Sequence, residues 1–172
     1  REDGRLPMSD FGGVHRYNVT GLFHDMWGFP SENPQIVRDL LRHLVDKIEN
    51  NVNLVAMYKE YHLEDAESVL ISYGSAARSA RCMVENRRRR GEPVGLLELQ
   101  TLWPFPARIV REKCRKAKLI LVVEMNMGQV VLSVKEAVEA PERVFLANRI
   151  DGVFITHKDI RSIMRVIQGH GA

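Results

Sequence analysis

Residues 68–99 read SVLISYGSAARSARCMVENRRRRGEPVGLLEL, and their reading decides the fold. The run SVLISYGS (68–75) is short, apolar and β-branched, and it stops at Tyr73-Gly74-Ser75. AARSARCMVENRRRR (76–90) then reads as a helix ending at Gly91, a residue suited to the left-handed capping conformation. PVGLLEL (93–99) is a second apolar run. Strand, helix and strand in this order are one turn of an α/β fold.

Moving outward, the alternation continues. ARIVREKCRKA (107–117) is helical, KLILVVEM (118–125) a strand, GQVVLSVKEAVEA (128–140) a helix and RVFLANRI (143–150) a strand. A last helix starts at Thr156, whose spacing to Asp159 resembles a capping box, and carries Ile160, Ile163, Met164 and Ile167. Upstream, Asn33 is placed as N-cap with Pro34 at the first helical position. Ile36, Val37, Leu40, Leu41, Leu44, Val45 and Ile48 follow as one apolar stripe. Repeated strand–helix units predict a mostly parallel sheet with helices on both faces, and strands this uniformly apolar fit burial on both sides.

Composition narrows the classes. A hydrophobic fraction of 45% over 172 residues supports a core without disulfides. No apolar run approaches the roughly 20 residues of a membrane span, and REDGRLPMSDFGG (1–13) does not read as a signal peptide. A chain that opens on Arg1 is expected to be a fragment or a processed product. Cys82 and Cys114 are too far apart for a CxxC pair, so no metal or cluster site is expected from this chain alone. Reduced thiols in a cytoplasmic protein are expected instead. A net charge of +3 permits acidic partners without demanding them, and neither a nucleic-acid nor a membrane partner is expected. The run Arg87–Arg90 reads either as a solvated helix end, complementing the helix dipole, or as a phosphate- or protein-binding patch.

In open sheets of this kind, ligands sit beyond the carboxyl ends of the strands, which brings four loops forward. Gly74-Ser75 offers a helix start that either is capped by its own hydroxyl or holds an anion, with Arg78 nearby. No GxGxxG and no GxxxxGK[ST] is present. EMNMGQ (124–129) gathers Glu124, Asn126 and Gln129, for acid–base work or for hydrogen bonding at the sheet edge or to another subunit. NRIDGVFIT (148–156) is the third loop. The fourth, LQTLWPFP (99–106), sets Trp103 and Phe105 between prolines that fix φ and disfavour helix in the residue before them. Pro106 is placed at the first position of the next helix. Such a turn either presents two rings to a partner or closes the sheet's own core. Residues 1–32 show no periodicity but carry Phe11, Tyr17, Phe23, Trp27 and Phe29, so they read as an arm that packs on a neighbouring domain. The six histidines form no metal or catalytic pattern and no GxSxG elbow occurs, so no catalytic residue is assigned.

Taken together, Gly74-Ser75 after a strand, VGLLELQTLWPFP, ILVVEMNMGQ and the upstream VTGLFHDMWGFPSENP resemble the alpha subunit of 2-oxoacid:ferredoxin oxidoreductases, in particular the 2-oxoglutarate type. The resemblance runs from about Tyr17 to at least Gln129. It implies the subunit's carboxy-terminal domain, similar to the last domain of transketolases: a three-layer α/β/α fold with a mostly parallel five-stranded sheet over residues 33–172, preceded by a linker or arm, 1–32, from a thiamine-site domain. The fifth strand is then expected from VNLVAMYKEY (52–61).

Enzymes of that family convert a 2-oxoacid and coenzyme A to acyl-CoA and CO2, passing two electrons to ferredoxin. They use thiamine diphosphate with Mg and iron–sulfur clusters. The resemblance implies no cofactor in this fragment, a support and assembly role, and the beta subunit and the preceding thiamine-site domain as partners in an oligomer. Ferredoxin would be reached through other subunits. Phe23, Trp27, Trp103, Phe105, Glu124, Asn126 and Gln129 are the interface candidates. Phe23 stands where the family has Glu, and Met26-Trp27 replaces a more polar pair, which keeps a branched-chain or other 2-oxoacid open. Also open are a stand-alone nucleotide- or coenzyme A-binding module, built on Gly74-Ser75, Arg78 and Arg81, and a transketolase-type enzyme.

Overall fold

The structure is a computed structural model that describes residues 9–15, 17 and 19–169. By contact the chain falls into two units, Arg1–Leu54 and Val55–Ala172. In the first, α1 spans Pro34–Glu49, with the Asn33 side chain accepting from the Gln35 and Ile36 amides as its cap. Although α1 is strongly amphipathic in sequence, none of its residues is buried. Ahead of it, residues 23–31 form a tight loop: His24 bridges Pro30, and the Ser31 amide donates to the Phe23 carbonyl. Inside this loop the Asp25 carboxylate accepts from the Trp27 and Phe29 amides at 2.9 and 3.0 Å. The arm therefore has a scaffold of its own, where the sequence offered only an irregular segment.

The expected strand over 52–61 divides into a single helical turn, α2 (Val52–Val55), and β1 (Tyr58–Tyr61). The remaining elements follow the expected order: β2 (Ser68–Tyr73), α3 (Gly74–Arg88), β3 (Val94–Leu99), α4 (Ala107–Cys114), β4 (Leu119–Glu124), α5 (Val130–Ala137), β5 (Val144–Asn148) and α6 (His157–Gly169). Thr156 and Asp159 make the expected capping box, each side chain accepting the other residue's amide at 3.3 and 2.8 Å. The Thr156 hydroxyl, followed by its amide, holds the Asp159 carboxyl below the usual carboxylate range. Pro106 stands one residue ahead of α4 rather than at its first position, and the Trp103–Pro104 peptide is cis.

The five strands form one sheet in the order β1-β3-β2-β4-β5, parallel except for the β1 edge. Alternation sorts each strand onto two cores. Val69, Ile71, Ile120 and Val122 face α4 and α5, with Val110, Cys114, Val131 and Val134. Leu70, Leu121 and Val123 face α3 and α6, with Ala80, Met83, Ile160 and Met164. The result is three layers, with helices on both faces of a sheet whose central strands are almost wholly buried.

Two of the four arginines in the run at α3's end serve the fold. Arg87 is buried and pairs with Glu92 at 2.8 Å. Arg88 donates to the carbonyls of Val94 and His62 at 2.6 and 2.7 Å and pairs with Asp65, whose carboxyl it pulls below its ordinary range. This leaves Arg89 and Arg90 exposed beside the left-handed Gly91, more a helix terminus than a patch of four.

Gly95 carries a constraint that the sequence does not announce. A Cβ there would lie 2.5 Å from the His62 carbonyl oxygen and 2.7 Å from Leu63 Cδ2, because the 62–66 turn runs close over β3. Gly95→Ala is expected to cost about 1–3 kcal/mol in urea unfolding. Gly21→Ala, which meets open space, should stay within about 0.5 kcal/mol of the parent chain. Equal effects of the two substitutions would refute the close-approach argument.

Candidate functional site

Because β2 to β5 run parallel, their carboxyl ends lie along one end of the sheet. The helices that follow the adjacent strands β2 and β4 leave to opposite faces, α3 to one and α5 to the other. That divergence is where open α/β sheets have their ligand crevice. Here it is bridged by the protein's own side chains.

Glu124, the last residue of β4, has 0% exposure. Its two carboxylate oxygens accept from the amides of Val130 and Val131, the first residues of α5, at 3.0 and 3.1 Å. The Tyr73 hydroxyl, at the end of β2, donates to the same carboxylate at 3.4 Å. A buried carboxylate without a cation is tolerable only when donors surround it, and the partial positive charge of a helix start adds to them. Tyr73 in turn accepts from the Asn126 side-chain amide, while Asn126 Oδ1 accepts from the Gly128 and Gln129 amides at 2.8 and 3.1 Å. Burial first, and then the Glu124 charge, raise the Tyr73 pKa, so the hydroxyl keeps its proton and its donor role.

This arrangement orders the candidate residues. Glu124 is engaged in helix capping, with no open position for a reacting atom. Gln129 is exposed and Asn126 half-buried. Gly74, Ser75 and Arg78 are exposed at the start of α3, with Gly74 in the left-handed region at φ +56°. Ser75 does not cap its helix; the capping position belongs to Tyr73, and the Ser75 hydroxyl faces Met125 Sδ at 3.7 Å. Trp103 and Phe105 part company: Trp103 is 73% exposed, whereas Phe105 packs on the core beneath α4. In the arm, Trp27 is 76% exposed and Phe23 also faces solvent. Sequence reasoning missed Tyr73 as a functional neighbour, since nothing in its local spacing ties it to Glu124, 51 positions on.

The residues do not fit an iron–sulfur cluster. Cys114 is buried, and burial pushes its thiol up to about 12, while Cys82 lies exposed on α3. No group of three His, Cys, Asp or Glu that could hold a metal occurs among the described residues. Among these residues, too, no helix is long and apolar enough to cross a membrane.

Two measurements test this geometry. Glu124→Ala should lower stability by about 2–4 kcal/mol, since it strips a helix cap and strands buried amides; a loss below about 0.5 kcal/mol would refute it. A thiol reagent at pH 8 should modify Cys82 in the folded chain and reach Cys114 only on unfolding, because a thiol with a pKa of about 12 has almost no thiolate there. Equal rates at the two cysteines would contradict the burial.

Comparison with known proteins agrees with this architecture. The profile of pyruvate:ferredoxin oxidoreductase core domain II matches residues 66–160. The 2-oxoglutarate synthase subunit KorA of Methanocaldococcus jannaschii is 36% identical over 151 residues, 87% of this chain and 40% of that protein. Its counterpart from Methanothermobacter thermautotrophicus is 38% identical over 152 residues, 88% of this chain and 40% of that protein. The ketoisovalerate oxidoreductase subunit VorB of Methanothermobacter marburgensis is 40% identical over 112 residues, 65% of this chain and 32% of that protein. A solved 2-oxoglutarate:ferredoxin oxidoreductase from Magnetococcus marinus, with 2-oxoglutarate, coenzyme A and succinyl-CoA bound, superposes with a TM-score of 0.82 at 21% identity. That match covers 96% of this chain and 29% of that one, and it shows a shared fold. The chain thus spans about 40% of the length of the 2-oxoglutarate synthase subunits it matches. With the profile covering more than half of its residues, the chain belongs to the pyruvate:ferredoxin oxidoreductase core domain II family.

Proposed function

We propose that this chain is the carboxy-terminal part of the alpha subunit of a cytoplasmic 2-oxoacid:ferredoxin oxidoreductase, and that its own task is support and assembly rather than catalysis. In this reading residues 1–32 lead from a thiamine-site domain and 33–172 carry the α/β domain, with α1 at its start. The observation that carries the assembly role is the carboxyl end of the sheet. The crevice that would hold a ligand is bridged by Tyr73, Glu124 and Asn126, while Trp103, Met127, Ile150 and Phe154 stand exposed on the loops around it. An end whose polar side chains are engaged with one another and whose loops are rich in exposed apolar side chains suits a protein partner. Trp27, Met26 and Phe29 add a second such surface on the arm. The partners are the thiamine-site domain and the beta subunit, with Asn126 and Gln129 at the contact and Glu124 beneath it as support.

The parent enzyme joins oxidative decarboxylation of a 2-oxoacid to acyl transfer onto coenzyme A, with ferredoxin taking the electrons. In this reading thiamine diphosphate, Mg and iron–sulfur clusters belong to its other parts; for the clusters the support is that Cys114 is buried with a raised thiol pKa and Cys82 is exposed on α3. The substrate we propose is 2-oxoglutarate, supported by the two 2-oxoglutarate synthase relatives that align over 87% and 88% of this chain. A branched-chain 2-oxoacid is the second reading, favoured by the 40% identity to the ketoisovalerate subunit over 112 residues and by the apolar Phe23 and Trp27 of the arm.

The test joins this chain to the rest of its subunit, co-expressed with the partner subunit. Coenzyme A-dependent acceptor reduction is then compared for 2-oxoglutarate and 2-oxoisovalerate. Turnover with the first and none from the 172-residue chain alone is the expected result; turnover by the chain alone would overturn the assembly role. Trp103→Ala should weaken association of the assembled subunits while shifting this domain's unfolding by less than about 0.5 kcal/mol. Phe105→Ala should instead cost about 2 kcal/mol or more of fold stability. If Trp103→Ala leaves association intact, the carboxyl-end surface is not the contact.

A further inference from the structure

The Tyr73 hydroxyl joins the end of β2 to the loop that follows β4. It donates its proton to Glu124 Oε2 and accepts from Asn126 Nδ2, so both of its hydrogen-bonding roles are used. Asn126 relays the connection: its Oδ1 takes the Gly128 and Gln129 amides, and its main-chain oxygen takes the Asn148 side chain at 2.8 Å. The loop is thus tied at once to β2, to the start of α5 and to the end of β5. At its tip Met127 is 76% exposed, held out by a turn whose Gly128 sits at φ +94°.

We propose that Tyr73 is a positioning residue: its hydroxyl fixes the conformation of the 125–129 loop and, through it, the contact surface at the carboxyl end of the sheet. The second half of this statement rests on the assembly reading above; the first half does not. Removing the oxygen deprives the Asn126 amide of its acceptor and the Glu124 carboxylate of its third donor. Helix α5 keeps its cap, because the Val130 and Val131 amides still donate to Glu124. The loss therefore falls on the loop and spares the helix.

Tyr73→Phe tests this in two arms. In the 172-residue chain, amide hydrogen exchange at Gly128 and Gln129 should accelerate about tenfold, the scale of one lost hydrogen bond, with Val122 in the core unchanged. Uniform acceleration across the sheet, or none, overturns the positioning role. In an Asn126→Ala background the same Tyr73→Phe change should add no further acceleration, which guards against a folding defect peculiar to the tyrosine variant. In the assembled enzyme, Tyr73→Phe should weaken subunit association about three- to tenfold, since one lost contact of about 1 kcal/mol is a factor of five. Faster loop exchange with unchanged association would show that the loop lies outside the contact and overturn the second half alone. The assembly role is tested separately, by turnover of the chain alone, and the carboxyl-end contact by Trp103→Ala.

Discussion

A carboxylate with no access to water must be surrounded by donors, and much of this domain's carboxyl end follows from where that requirement is met. All six residues of β4 are buried, and the last of them is Glu124. Its donors are the first two amides of α5 and the hydroxyl that ends β2. The helix start is therefore pinned to the strand that precedes it, and the loop between them has little freedom. With its donors supplied by the neighbouring strand and the following helix, the group stabilises the loop; without them it would be a buried charge costing several kcal/mol.

The same arrangement fills with side-chain hydrogen bonds the place where such folds commonly bind ligands between diverging helices. One helix start is neutralised from below by Glu124, and Tyr73 and Asn126 bridge the ends of β2 and β4. The rigid scaffold sets where the loops at this end of the sheet stand.

The order of elements from β2 to α6 was legible because parallel strands buried on both faces are nearly continuous apolar runs, and the end of α3 and the start of α6 carry clear signals at Gly91 and Thr156. The site was less legible. Glu124 and Asn126 stood out as polar residues at a strand end, but Tyr73 lies 51 residues earlier and joins them only through strand pairing. Trp103 and Phe105 share one short proline-framed motif, yet the first is exposed and the second packs on the core, a distinction set by tertiary packing. The split of 52–61 into a helical turn and a four-residue strand was hidden because short apolar runs fit either conformation. Gly95 gave no sign because the backbone that crowds it comes from the 62–66 turn.

The Asp25 loop of the arm has one more consequence, in the order of folding events. Its hydrogen bonds span at most eight residues, from the Phe23 carbonyl to the Ser31 amide. The β1–β3 ladder, by contrast, joins Tyr58 to Leu99. Loops of about ten residues close in roughly 10–100 ns, whereas sheets rich in distant pairings form far more slowly. The arm's aromatic display is thus held by low-contact-order hydrogen bonds, set entirely within residues 23–31.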